Sequence, residues 1–333
     1  MSRPSTGFRA FRALAMLALA FSPSARADQG GVPFWFSGQF SSLAAVPATP
    51  GWSLAAMPYY YNGSAAVSKY FQVGATVSAG LSTRMPLLLV QPGYAAEEKI
   101  LGGQPYLGVG FGIGRNNVDV NTSISLATLG AQCNRADATT VGTDLYPFAS
   151  LSWNKGVHNW MTYLTGDVPT GAYNSQRLAN IGIGHGAIDV GGGYTYLNPD
   201  TGREFSAVLG ATYNFTNTEI NYRNGVDSHL DWAVSQFLSE KWQVGIAGYA
   251  YQQLSPDTYD TGGAAGALRA RVLGSFESRV FAAGPELGHM FTVGGQQAYL
   301  NLRGYKEFGA QNRIEGYALF ATLAIPLGSR KGK

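Results

Sequence analysis

Residues Arg203–Phe215 alternate almost without a break. Phe205, Ala207, Leu209, Ala211, Tyr213 and Phe215 fall on odd positions, and Glu204, Ser206, Val208, Gly210, Thr212 and Asn214 on even ones. A strand sends successive side chains to opposite faces, so this stretch predicts a strand with one apolar and one mostly polar side. Ala187–Leu197 precedes it across Asn198-Pro199-Asp200-Thr201-Gly202, a turn-rich link that makes the two a hairpin. Each arm has about the length that a tilted strand needs to cross a bilayer, ~9–11 residues. A single hairpin of this kind suits any half-buried antiparallel sheet, so its repetition decides the architecture.

The pattern recurs along the chain. Strands are expected at Phe36–Val46, Ser53–Gly63, Tyr70–Leu81, Met85–Ala95 and Gly103–Arg115. Others follow at Thr143–Trp153, His158–Val168, Ala187–Leu197, Arg203–Phe215 and Ser228–Leu238. The series ends with Lys241–Gln252, Arg279–Phe291, Gln296–Glu307 and Arg313–Ile325. In this numbering the links after even strands are short, as at Asn154–Gly156, Asn198–Gly202, Ser239-Glu240 and Thr292–Gly295. Ser64–Lys69 and Ala96–Gly102 belong to the same end. The long links, Asn116–Gly142, Pro169–Gly186, Thr216–Asp227 and Gln253–Ser278, all follow odd strands. Outer-membrane barrels have this asymmetry, with short periplasmic turns and long external loops. The fold class expected is all-β, a transmembrane antiparallel β-barrel of about 12–14 strands.

The N-terminus and the composition agree with export. Arg3, Arg9 and Arg12 precede the apolar Ala13–Phe21, and Ala25-Arg26-Ala27 ends a cleavage pattern. The expected domains are a cleaved signal peptide at 1–27 and a barrel at 28–333. The apolar run is too short for a spanning helix of roughly 20 residues. Charged residues are only 13% of a chain with 44 Gly, 19 Tyr and 17 Phe, about half the usual charged share. Mean hydropathy is near zero, as expected where lipid-facing and lumen-facing residues alternate. A net charge of +3 gives no footprint for nucleic acid.

Chemistry-bearing motifs are sparse. Cys133 is the one cysteine, and His158, His185, His229 and His289 are scattered. No metal and no cofactor is expected. Gly108-Val109-Gly110-Phe111-Gly112-Ile113-Gly114 lacks the Lys-Ser/Thr of a phosphate loop. Glycine at alternate positions instead leaves one strand face bare. No Gly-x-Ser-x-Gly is present, and no catalytic residues are assigned.

Several stretches resemble a bacterial outer-membrane family named for the meta-pathway of phenol degradation. They are Gly38–Ser53, Tyr59-Tyr60-Tyr61, Ile100–Gln104, Gly166-Asp167-Val168-Pro169-Thr170-Gly171-Ala172-Tyr173 and Tyr196–Ser206. Tyr222-Arg223-Asn224-Gly225, His229-Leu230-Asp231-Trp232 and Gly284-Pro285-Glu286 continue the series. The resemblance implies a barrel related to channels for long-chain fatty acids and aromatic hydrocarbons, which carry hydrophobic substrates passively. The fatty-acid channels hold a long N-terminal hatch in the barrel. Here only the short Asp28–Trp35 precedes the first expected strand, so a plug is expected to come from a long loop. The C-terminus also departs from the usual aromatic ending, since the chain runs past Leu327 into Gly-Ser-Arg-Lys-Gly-Lys.

The function expected is an outer-membrane channel for passive uptake of small hydrophobic or aromatic compounds. Its expected partners are outer-membrane lipid, those small molecules and the barrel-assembly machinery. Asp189, Asp231, Glu286, Asn301 and Arg303 are the candidate substrate-binding or lumen-lining residues, because charge facing lipid is costly. Glu286 and Arg303 fall on neighbouring strands, where they could pair. Plain lumen filling is the competing role for each. A structural or adhesion barrel is the alternative function, and an outer-membrane hydrolase a more distant one.

Overall fold

A computed structural model describes residues 31–65, 70–73, 76–126, 129–259 and 277–327. The expected signal peptide, residues 1–27, lies outside them. All regular structure in the described residues is strand. In chain order come β1 (Gly51–Ser64), β2 (Tyr70–Val73), β3 (Thr76–Ala79), β4 (Leu81–Ala95), β5 (Gln104–Leu126) and β6 (Leu129–Gly142). Next are β7 (Tyr146–Lys155), β8 (His158–Asp167), β9 (Ala187–Asn198), β10 (Arg203–Asn214), β11 (Tyr222–Arg223) and β12 (Asp227–Phe237). The last are β13 (Trp242–Gln253), β14 (Thr258–Tyr259), β15 (Arg279–Val293), β16 (Gln296–Gln311) and β17 (Glu315–Pro326).

The main sheet is antiparallel and has 13 strands. β1 pairs with β17, and β4 pairs with both β1 and β5, so the sheet closes. The closed wall has 12 strands; β6 stays outside it, as an arm paired to the far half of β5. Closure removes the edges that lipid could not satisfy. Two of the fourteen expected strands are not in the wall. Phe36–Val46 is not a strand at all, and Tyr70–Leu81 is split into the small β2–β3 hairpin and the start of β4.

Alternation explains which side chains face where. β10 exposes Phe205, Leu209 and Tyr213 outward, and buries Glu204, Ser206, Thr212 and Asn214 inside. Its neighbours do the same: Leu164, Val190, Val234, Ile246 and Leu302 are exposed, while Asp189, Asp231 and Glu286 are buried. This reverses the soluble pattern, and it is what a wall between lipid and a polar lumen requires. Aromatic pairs mark the two rims. Trp52 lies 5.3 Å from Tyr94 near one end, and Phe281 lies 6.1 Å from Phe308 near the other.

Five of the six links that join wall strands at one end are long, and the links at the other end are short. The link expected at Ser64–Lys69 departs from the parity, because Ser64 ends β1 at the long-loop end; residues 66–69 lie outside the described residues. The misplacement follows from counting Phe36–Val46 as a first strand, which inverted the direction of the second.

Phe36–Val46 instead runs through the lumen. Val32 donates its amide to Ile181 O at 3.1 Å in a long loop, and Gly51 begins β1 beside Ala95 at the short-turn end. The backbone bends at Gly38 (φ 85) and Leu43 (φ 67), which breaks any strand. Its amides bond to wall side chains rather than to a ladder. The expectation that a plug must come from a long loop is therefore overturned: the N-terminal segment fills the lumen, and Ile181 and Ile183 of the 168–186 loop pack against its start.

Candidate functional site

Three carboxylates, from β10, β12 and β15, hold the inner segment. Asp231 of β12 accepts the amides of Gly38 at 2.9 Å and Phe40 at 3.2 Å. Glu204 of β10 accepts from Leu43 N at 3.0 Å and Ser42 Oγ at 2.8 Å. Glu286 of β15 accepts from Ser42 N at 3.3 Å and Ser42 Oγ at 3.1 Å. Thr195 Oγ1 of β9 accepts the Ala45 amide at 3.0 Å. Charged acceptors to buried N–H groups are among the stronger hydrogen bonds, and each strand contributes one because its polar face alternates inward.

Arg303 of β16 grips the same segment through its carbonyls. Its Nε donates to Gly38 O at 3.0 Å and one terminal nitrogen to Gln39 O at 2.8 Å. The other terminal nitrogen donates to Asn301 Oδ1 at 2.6 Å and Thr322 Oγ1 at 3.1 Å. Asn301 in turn donates to Glu286 Oε1 at 2.5 Å. Glu286 and Arg303 sit directly opposite each other in register. They do not form the direct ion pair that neighbouring strands suggested; among the described residues the ion pairs are Arg177–Asp137 and His229–Asp189. The reason is competition: Asn301 and Ser42 occupy the carboxylate while segment carbonyls occupy the guanidinium.

Asp189 takes a different partner. Its Oδ2 accepts from Thr212 Oγ1 at 2.6 Å and lies 2.9 Å from His229 Nε2. The His229 ring stacks on Trp35 of the inner segment with centroids 3.5 Å apart. All five candidate residues are thus buried inside the wall, and Asp231, Glu286 and Arg303 contact the inner segment directly.

Beside the clamp lies a cavity of about 500 Å³, which Ser42 and Arg303 also line. Its wall side is formed by β1, β4, β5, β7, β8, β16 and β17, and its inner side by the segment. Leu54, Met57, Leu89, Phe148 and Met161 give it an apolar surface. Trp35 and Phe40 face Phe148 and Tyr163: Phe40 is 6.4 Å from Phe148 and 5.9 Å from Tyr163, and Phe148 stacks on Tyr163 at 5.9 Å. Of the five candidates only Asn301 and Arg303 reach this cavity. Sequence reasoning searched for charge on the polar faces and so missed the cavity's aromatic lining. The signal that could have found it was the aromatic content of Phe34–Phe40, which overlaps the start of the strand expected at Phe36–Val46.

Two of the scattered histidines lie among aromatic rings. His158 Nδ1 lies 2.8 Å from Tyr194 Oη, and His289 packs against Trp242 and Phe291.

An outer membrane channel from Pseudomonas putida F1 shares the fold, with a TM-score of 0.60 and 13% identity over 88% of this chain and 98% of that one. A FadL homologue from Pseudomonas aeruginosa reaches a TM-score of 0.45 at 8% identity, over 92% of this chain and 99% of that one. No curated protein matches the chain. The family model described as "Putative MetA-pathway of phenol degradation" matches residues 58–323, and the chain belongs to that family.

Proposed function

We propose that this chain is an outer-membrane channel for passive uptake of small hydrophobic or aromatic molecules. The cavity beside the inner segment carries the reading. Its volume of about 500 Å³ lies within the range of small-molecule sites, ~300–1,000 Å³, and such sites are mostly apolar with a few polar groups. Trp35, Phe40 and Phe148 offer ring faces for offset or edge contacts with an aromatic guest. The outward apolar belt suits a membrane wall, and family membership and the fold shared with the Pseudomonas putida channel support the same reading.

In this reading the leader at 1–27 is removed on export, and residues 28–333 are inserted by the barrel-assembly machinery with the short turns in the periplasm. Asp189, Asp231 and Glu286 act by positioning the inner segment and its aromatic rings. Asn301 and Arg303 add the polar side of the cavity. Purified protein in liposomes should admit a labelled hydrophobic aromatic faster than protein-free liposomes. No protein-dependent entry for any such compound would sink the proposal, and would favour the second reading that the filled lumen also suits, a barrel without transport.

A further inference from the structure

Outward side chains of the wall are mostly apolar, but one row toward the long-loop end is not. Lys306 of β16 stands across from Tyr317 of β17, and Tyr317 from Asn62 of β1. Asn62 stands across from Arg84 of β4, and Arg84 from Asn117 of β5. The row faces outward by alternation: Lys306 lies between buried Tyr305 and Glu307, and Arg84 between buried Thr83 and Met85. Lys306, Tyr317 and Arg84 are exposed. Arg115 of β5, one outward position nearer the membrane centre, is exposed too and donates its Nε to Asn117 Oδ1 at 2.8 Å. Asn62 Nδ2 donates to Tyr317 Oη at 3.3 Å, and Lys306 Nζ to the Gly316 carbonyl at 3.3 Å. Neither of the ion pairs among the described residues involves Lys306, Arg84 or Arg115. The outward carboxylates Asp119 and Glu315 stand a step nearer the loops, across from Ser82 and Ser64, and Glu315 accepts the Ala310 amide at 3.1 Å. The row itself holds cations and no acid.

Below the row, toward the membrane centre, lies an open groove of about 590 Å³. Gly304 and Ala321 form its floor because they are too small to fill the surface, and Pro58, Leu287, Leu302 and Leu319 rise around it. It opens outward: exposed Leu287, Leu302 and Leu319 alternate with buried Glu286, Arg303 and Phe320. The groove is therefore on the opposite side of the wall from the aromatic cavity. Gly304 and Leu319 are each two residues from Lys306 and Tyr317 on the same face, so the row stands about 7 Å above the groove floor. Long basic side chains can lay their stems on apolar surface and hold their charge at headgroup level. Lys306 and Arg84 are three strand spacings apart, about 14 Å, too far to serve one phosphate together.

We propose that this row and groove bind lipid A, the bisphosphorylated and multiply acylated disaccharide of an outer leaflet. Lys306 takes one phosphate, Arg84 and Arg115 take the other, and an acyl chain lies along Leu302, Gly304 and Leu319. Cation–phosphate hydrogen bonds are among the strong ones, and an arginine can hold a phosphate through two parallel bonds. A glycerophospholipid with a single phosphate occupies only half of the row. The inference rests on the long loops facing outside and concerns the lipid side of the wall, not the route through the lumen.

The test is native mass spectrometry of the full barrel in detergent, titrated with bisphosphorylated lipid A. The wild type should retain the lipid, and R84Q/K306Q should bind it about tenfold more weakly with heat-modifiable migration kept. Dephosphorylated lipid A and phosphatidylglycerol should bind the wild type several-fold more weakly than lipid A. Inorganic phosphate at the same concentration should leave lipid A in place; displacement would make this a site for free phosphate and overturn the lipid assignment. Absence of lipid A binding by the wild type overturns the site, and so does equal binding by R84Q/K306Q. If that variant does not assemble, A321L decides, because it fills the groove floor from the lipid side: undiminished binding overturns the proposal. The measurement needs no transport, so a failure of aromatic entry in liposomes leaves its outcome unchanged.

Discussion

Asp231 accepts the amide of Gly38 across 193 residues of chain, at 2.9 Å. The bond joins the middle of a wall strand to the bend of a segment that is itself neither strand nor helix. Gly38 sits there at φ 85, and an added Cβ would press on the rings of Tyr305 and Tyr249. Function follows from this contact, because the position of the segment sets the width and lining of the cavity beside it.

Replacing Asp231 with Ala leaves the buried amides of Gly38 and Phe40 without an acceptor. Each stranded donor costs ~1–3 kcal/mol. The segment should loosen while the wall persists. Single-channel conductance in planar bilayers should rise several-fold, with heat-modifiable migration retained. Wild-type conductance in an assembled D231A barrel would contradict the clamp.

Trp35 stacks on His229 and lies 5.9 Å from Tyr163 and 5.8 Å from Phe40. Aromatic pairs contribute ~0.5–1.5 kcal/mol each beyond their area. W35A should lower uptake of an aromatic probe about tenfold by removing one face of the route. W35F should retain most of it. The comparison is made in liposomes at matched protein content.

Leu209 is 60% exposed at the centre of β10. An arginine there would face the bilayer midplane and cost ~2–4 kcal/mol. L209R should lower the folded fraction in lipid, and L209V should leave it unchanged. Equal folding of L209R and wild type, read from gel migration after refolding into vesicles, would remove this face from the lipid boundary.

Gly284 permits the close approach of β15 to β16. A Cβ there would overlap the carbonyl oxygen of Gly304, which is backbone and cannot swing away. The register is unbroken from Ala283↔Lys306 to Glu286↔Arg303, so Gly284 lies inside a regular part of the ladder. G284V should fail to assemble. At Gly142 an added Cβ meets only Gly112 O at 3.6 Å, an ordinary contact, so G142A should assemble normally.

Outside the wall, Asp137 of the β6 arm receives Arg177 at 2.8 Å and the amides of Leu178 and Ala179. The Arg177 hydrogen bond, with the amides of Ala179 and Ala138, holds its carboxyl down from 3.8 to about 2. The folded value lies below the unfolded one, so the contact is fully present above about pH 4 and is lost as pH falls through about 2. Hydrogen exchange at Leu178 and Ala179 should be slow at pH 5 and accelerate, after correction for intrinsic rate, between pH 4 and about 2. In D137N the acceleration should be absent, because protection is already low.

Much of the wall was legible because it depends on local alternation. Phe205, Leu209 and Tyr213 lie outward and Glu204 and Thr212 inward, as the pattern in β10 requires. Loop-length parity also survives at the four connections expected to be long, since it follows from up-and-down topology. Phe36–Val46 misled because FSGQFSSLAAV alternates weakly, and a strand and an extended peptide pinned by side chains share that signature. The consequence was one strand too many at the start and a reversed end for Ser64–Lys69.

The candidate charges show the same division. A period of two puts Asp189, Asp231, Glu286, Asn301 and Arg303 on the inner face, and sequence is enough for that. What each one meets there depends on ring closure, which brings β10, β12 and β15 around a segment 161–244 residues away. Glu286 and Arg303 face each other yet pair with Ser42, Asn301 and the carbonyls of Gly38 and Gln39. Alternation is a short-range property written in the chain. The choice of hydrogen-bond partner in a crowded lumen is a competition among groups distant in sequence, and only the closed barrel brings those groups together.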